Sequence, residues 1–199
     1  MSILLKDIIK EVEEKHPLEV QIYCDMDGVL ADMEKGFREI SGGLNPKEHE
    51  AKYGKGSFWK VIGQKDHTTG KPKYPNFWLD LEPMPDAHAL WSFIKDNFKN
   101  PVPVVLTAGQ GASITQQKTQ WFHKHFGSPE IKVILAQAGW KKPEHVIQYP
   151  PERRVTHVLV DDTKKNIDVW DDTSKHRVAI HHKDAASSIN QLKAFLTKQ

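Results

Sequence analysis

The chain has 199 residues, of which 38% are apolar and 27% charged, a balance that excludes disordered and membrane-spanning classes. At roughly 150 residues per domain, the length allows one core with a modest insertion. A formal charge of +2 lacks the excess expected of a protein that grips a polyanion through many phosphates. A small ligand fits that charge better, and the single cysteine, Cys24, cannot form an internal disulfide.

The opening MSILLKDIIKEVEEKH carries Leu4, Leu5, Ile8, Ile9 and Val12 at helical spacing, which predicts an amphipathic helix over residues 1–16 that Pro17 helps to end. Its charges recur too often for a signal peptide or a span, so no membrane partner and a cytoplasmic setting are expected. A first strand is predicted over Glu19–Cys24. Residues 33–100 then form an interval too long for a simple crossover, rich in glycine and in the aromatic residues Tyr53, Trp59, Tyr74 and Trp78. A loop of that length without structure of its own is unusual, so a small cap is predicted there, with residues 86–99 as the helix that returns to the sheet.

Four more strands are predicted at 102–106, 131–135, 156–160 and 177–181. Helical patterns fall at 113–126, about 143–148, 163–170 and 184–196. Strands alternating with helices predict an α/β fold with a parallel sheet covered on both faces. The core would then comprise residues 1–32 and 101–199, and the cap residues 33–100.

The first strand runs into Asp25-Met26-Asp27-Gly28. Side chains two apart on an extended chain share a side, with Cα atoms roughly 6.5 Å apart. One carboxylate can therefore attack a phosphorus atom while the other manages the leaving-group proton. After the fourth strand come Asp161 and Asp162, two adjacent acids that are costly to bury without a cation between them. Oxygen-only ligands point to Mg²⁺ as the cofactor, with Asp25, the Asp27 carbonyl and Asp161 or Asp162 expected to hold it. The second strand leads into Thr107-Ala108-Gly109, a hydroxyl and turn amides placed before a helix start, which suits a phosphate. Charge balance calls for a lysine as well, with Lys118, Lys141 and Lys142 as candidates. The histidines, among them His123, His125, His181 and His182, show no His-Glu-x-x-His frame, and zinc is not expected.

With these blocks in order at successive strand ends, the chain resembles the haloacid dehalogenase superfamily of Mg²⁺-dependent phosphohydrolases. The resemblance implies a Rossmann-like three-layer core with strand order 3-2-1-4-5, Asp25 as nucleophile and Asp27 as general acid and base. The segments 25–32 (DMDGVLAD) and 77–87 (FWLDLEPMPDA) are similar, more narrowly, to the 5'(3')-deoxyribonucleotidases. That similarity implies a nucleoside monophosphate substrate, Phe77 and Trp78 as base contacts, Lys118 as a phosphate ligand, and Met33 where those enzymes place an aromatic base contact. Ala108 stands where they commonly carry serine. A polynucleotide 3'-phosphatase acting on nucleic-acid ends, and a protein that binds nucleotides without turning them over, are the competing expectations.

Overall fold

The computed structural model describes residues 19–109, 111–136, 141–151 and 153–198. The helix predicted over residues 1–16 lies outside them. Five parallel strands form the sheet: β1 (Glu19–Cys24), β2 (Val104–Ala108), β3 (Val133–Ala136), β4 (Val155–Asp161) and β5 (Arg177–His181). Their order is β3-β2-β1-β4-β5, as the resemblance implied. This is a Rossmann-like α/β fold with an all-parallel sheet.

Alternate residues of each strand face opposite layers, as a pleated backbone requires. Ile22, Cys24, Val105, Val158 and Val160 pack on one side with Leu90, Trp91 and Ile94 of α4 (Ala87–Asn97), Trp121 and Phe122 of α5 (Ala112–Phe126), and Leu192 of α7 (Ala185–Leu196). Tyr23, Val104, Leu106 and Leu159 face the other layer, where Trp170 of α6 (Lys164–Trp170) closes the core. Strands buried on both faces read as continuous apolar runs.

Two predicted strands start late. The second begins at Val104 rather than at 102, because Pro103 has no N–H for the ladder and Val102 is left 46% exposed. The third begins at Val133, because Ile131 is still part of a turn, its amide donating to the Ser128 carbonyl. The segment predicted as helical near 143–148 is a single 3₁₀ turn, Lys142–His145.

Between β1 and α4 lie three short helices, α1 (Met33–Ile40), α2 (Pro46–Tyr53) and α3 (Ser57–Ile62). Asp32 caps α1 by accepting from the Lys35 amide, and Asn45 and Glu48 form a reciprocal capping box on α2. Phe37, Ile62, Phe77, Trp78 and Leu81 from this interval join the same apolar cluster as the sheet. No helix among the described residues is long and apolar enough to cross a membrane.

Candidate active site

The central strands determine which acids meet. Cys24 of β1 pairs with Val160 of β4, and the Asp25 amide donates to the Val160 carbonyl at 2.9 Å. Asp25 and Asp161 therefore leave the sheet side by side at its carboxyl edge, where the chain reverses direction and open α/β sheets place their ligands. Oxygens of Asp25, Asp161 and Asp162 all lie within 4.8 Å of one another.

Lys142 joins two of these acids. Its ammonium is 2.8 Å from Asp25 Oδ1 and 2.6 Å from Asp161 Oδ2, and all three side chains are buried. Burial pushes the Asp25 carboxyl up from the usual carboxylate range despite the opposing pull of Lys142, and the nearby Asp161 and Asp27 charges add to the rise. Burial draws the Lys142 ammonium down, but Asp25 and Asp161 together lift it above its ordinary value. Of the two candidate lysines, Lys142 reaches the acids, whereas Lys141 is exposed.

Asp161 is held from every side. Its carboxylate accepts from the Thr163 amide at 2.8 Å, from Asn166 Nδ2 at 3.0 and 3.2 Å, and from Lys142. Asp162 opens onto the cavity instead, with the Thr163 hydroxyl 3.3 Å from its Oδ1. Enough protein surrounds it that burial, followed by the Asp161 charge, raises its pKa. Gly28 makes room for it: a Cβ there would lie 2.6 Å from Asp162 Oδ2, and a φ of +77° favours glycine in any case.

The other buried lysine serves Asp27. Lys118 is 0% exposed and donates to Asp27 Oδ2 at 2.5 Å, Thr107 Oγ1 at 2.9 Å and the Ala108 carbonyl at 2.8 Å. All three of its N–H groups are thus engaged, and the Trp78 ring covers the ammonium at 4.3 Å from the ring centroid. Asp27 Oδ1 is buried without a hydrogen-bond partner among the described residues. Gly109 spends its amide on the Ala136 carbonyl, and a Cβ at that position would meet Leu135 at 2.6 Å, so close packing accounts for this glycine.

A cavity of about 300 Å³ opens over these groups. Asp25, Asp27, Ala108, Lys142 and Asp162 line one side of it, and Met33, Asn45, Lys47, Phe58 and Trp59 from the interval between β1 and α4 complete the wall. Phe77 and Trp78 do not line it; they are 7% and 2% exposed and pack edge to face. Phe58 and Trp59, with ring centroids 4.7 Å apart, are the aromatic pair at the cavity. Sequence pattern alone could not rank the two pairs, because each is a Phe-Trp dipeptide in an aromatic-rich stretch. Asn166 also escaped notice, although its place four residues after Asp162, in the first turn of a predicted helix, was an available signal.

The donor set suits a divalent cation. It consists of oxygen alone, and it brings the three carboxylates of Asp25, Asp161 and Asp162 against one bridging ammonium.

No protein-family model matches the chain, and no curated protein does either. Among solved structures, a protein from Burkholderia xenovorans LB400 described as a haloacid dehalogenase-like hydrolase has the same fold, with a TM-score of 0.53 and 13% sequence identity. The match covers 86% of this chain and 85% of that one. At this identity the likeness is one of fold.

Proposed function

We propose that the chain is a Mg²⁺-dependent phosphomonoester hydrolase that acts on nucleoside or deoxynucleoside monophosphates through an aspartyl phosphate. The observation that carries this reading is the convergence of Asp25 and Asp161, 136 positions apart in sequence, on one buried lysine beside the Asp27 carboxylate.

Asp25, Asp162 and the Asp27 carbonyl would hold the cation, because the Asp161 oxygens are already taken by four donor contacts. Bound there, Mg²⁺ supplies positive charge to the phosphoryl oxygens. An oxygen of Asp25 attacks phosphorus, the bond to the leaving oxygen breaks, and Asp27 gives that oxygen its proton. Asp27 then takes a proton from water, which attacks the same phosphorus and breaks the bond to Asp25, returning the free carboxylate and phosphate. Lys118 holds Asp27 in place for both transfers. The Thr107 hydroxyl, the Ala108 edge of the turn and Lys142 stabilise phosphoryl oxygens as charge develops.

Substrate class follows from the opposite wall. Met33, Phe58 and Trp59 offer apolar and aromatic surface on which a base can stack, an interaction worth about 1–3 kcal/mol. The modest charge of the chain favours a mononucleotide over a polynucleotide end. The test is a panel of nucleoside monophosphates, sugar phosphates and a short 3'-phosphorylated oligonucleotide, assayed for Mg²⁺-dependent phosphate release. The highest kcat/KM is expected for a nucleoside monophosphate; preference for a sugar phosphate or for the oligonucleotide would contradict the substrate assignment. Unchanged ligand after long incubation with Mg²⁺ would contradict catalysis itself.

A further inference from the structure

Asp162 lies one residue beyond the last rung of the β4–β5 ladder. That ladder pairs Asp161 with His181, and the His182 amide then donates to the Asp161 carbonyl at 2.8 Å. Among the described residues no backbone donor continues the series, because β5 ends at His181 and the chain turns towards α7. A side chain supplies the next donor. The His181 imidazole places Nε2 3.0 Å from the Asp162 carbonyl, which makes a rung outside the sheet.

The contrast between the two neighbouring acids gives this contact its weight. The Asp161 carboxylate is fixed by the Thr163 amide, Asn166 and Lys142, whereas the Asp162 carboxylate is met by its own amide and, at a longer distance, by the Thr163 hydroxyl. The direction of the Asp162 side chain therefore depends on its main chain, and Gly28 leaves the space into which it points. Mg²⁺ demands near-ideal octahedral geometry, so a carboxylate that can wander is a poor ligand.

We infer that His181 is a positioning residue: its imidazole N–H fixes the Asp162 main chain and so aims that carboxylate at the divalent-cation site. The role rests on the proposal that Asp162 helps to hold Mg²⁺. It requires only a proton on Nε2, which both the Nε2–H tautomer and the imidazolium carry, so the contact does not depend on the charge of the ring. His181 is half-buried, and its replacement does not open the core.

The experiment is a calorimetric titration of Mg²⁺ into the metal-free full-length protein without substrate, comparing wild type, His181→Ala, His181→Gln and Asp162→Asn. Removing a group that orients a metal ligand typically costs 10–100-fold in affinity, so His181→Ala is expected to bind Mg²⁺ at least about tenfold more weakly. His181→Gln, whose amide N–H can donate to the same carbonyl, is expected to regain most of that loss, which a merely structural tie would not produce. Unchanged affinity in His181→Ala beside a clear loss in Asp162→Asn would overturn the positioning role alone. Unchanged affinity in Asp162→Asn would overturn that role together with the cation assignment on which it rests.

Discussion

Lys142 bridges two buried carboxylates, and its removal leaves them facing each other without compensation. Breaking a buried pair in this way costs about 3–5 kcal/mol, so Lys142→Met is expected to lower the urea midpoint of metal-free protein by a corresponding amount. Lys141→Met, at an exposed position, is expected to leave that midpoint within error. The sequence showed that a cation was needed but not which of two adjacent lysines supplied it. That choice belongs to the 3₁₀ turn at Lys142–His145, which turns one lysine inward and its neighbour outward. Asp25 and Asp27 were legible because a two-residue spacing on an extended chain already implies a shared side. The separate duties of Asp161 and Asp162 were not, since they depend on which oxygens neighbouring groups have already taken.

Elements place these residues, and their edges follow backbone chemistry more closely than apolar pattern. Val102 belongs to an apolar run, yet Pro103 cannot donate to a ladder and β2 starts after it. The aromatics between β1 and α4 show the opposite limit: Phe58-Trp59 and Phe77-Trp78 carry the same local signal, and only tertiary packing sends one pair to the cavity and buries the other, with Trp78 against Lys118. Trp59→Ala is expected to raise KM for nucleotides by about tenfold with a smaller change in kcat, since base stacking is worth about 1–3 kcal/mol. Equal KM values in steady-state assays of the two proteins would place the base elsewhere.

Strand β4 carries a second testable feature at mid-strand. Burial, with help from the charges of Arg177 and His176, lowers His157 to about 4. Its folded pKa lies below the unfolded value near 6.5, so between these limits the unfolded chain binds more protons and stability rises with pH. The contribution is therefore complete above pH 6.5 and is lost as pH falls towards about 4. His157→Gln is expected to flatten the pH dependence of the unfolding free energy in that window; an unchanged slope would show that His157 is not its source.

At the scale of the whole molecule, strand order brings distant chemistry together. The order β3-β2-β1-β4-β5 sets β1 beside β4, so Asp25 and Asp27 meet Asp161 and Asp162 at the switch point. This much was legible from three motifs at successive strand ends and the resemblance they carry. Fold and site are also linked through binding. A ligand that binds only the folded state adds about 2.7 kcal/mol at a concentration one hundred times its Kd. Saturating Mg²⁺ is accordingly expected to raise Tm by several degrees in wild type and much less in Asp162→Asn, as read by calorimetric melting. Equal shifts in both proteins would move the cation away from Asp162.

The most direct test of the account is mass spectrometry of protein quenched in acid during turnover of a nucleoside monophosphate with Mg²⁺. A peptide containing Asp25 is expected to gain the mass of one phosphoryl group, with the modification absent from Asp25→Asn, which still binds the substrate but does not turn it over. Steady turnover by Asp25→Asn, or a phosphoryl group found on another residue, would contradict it.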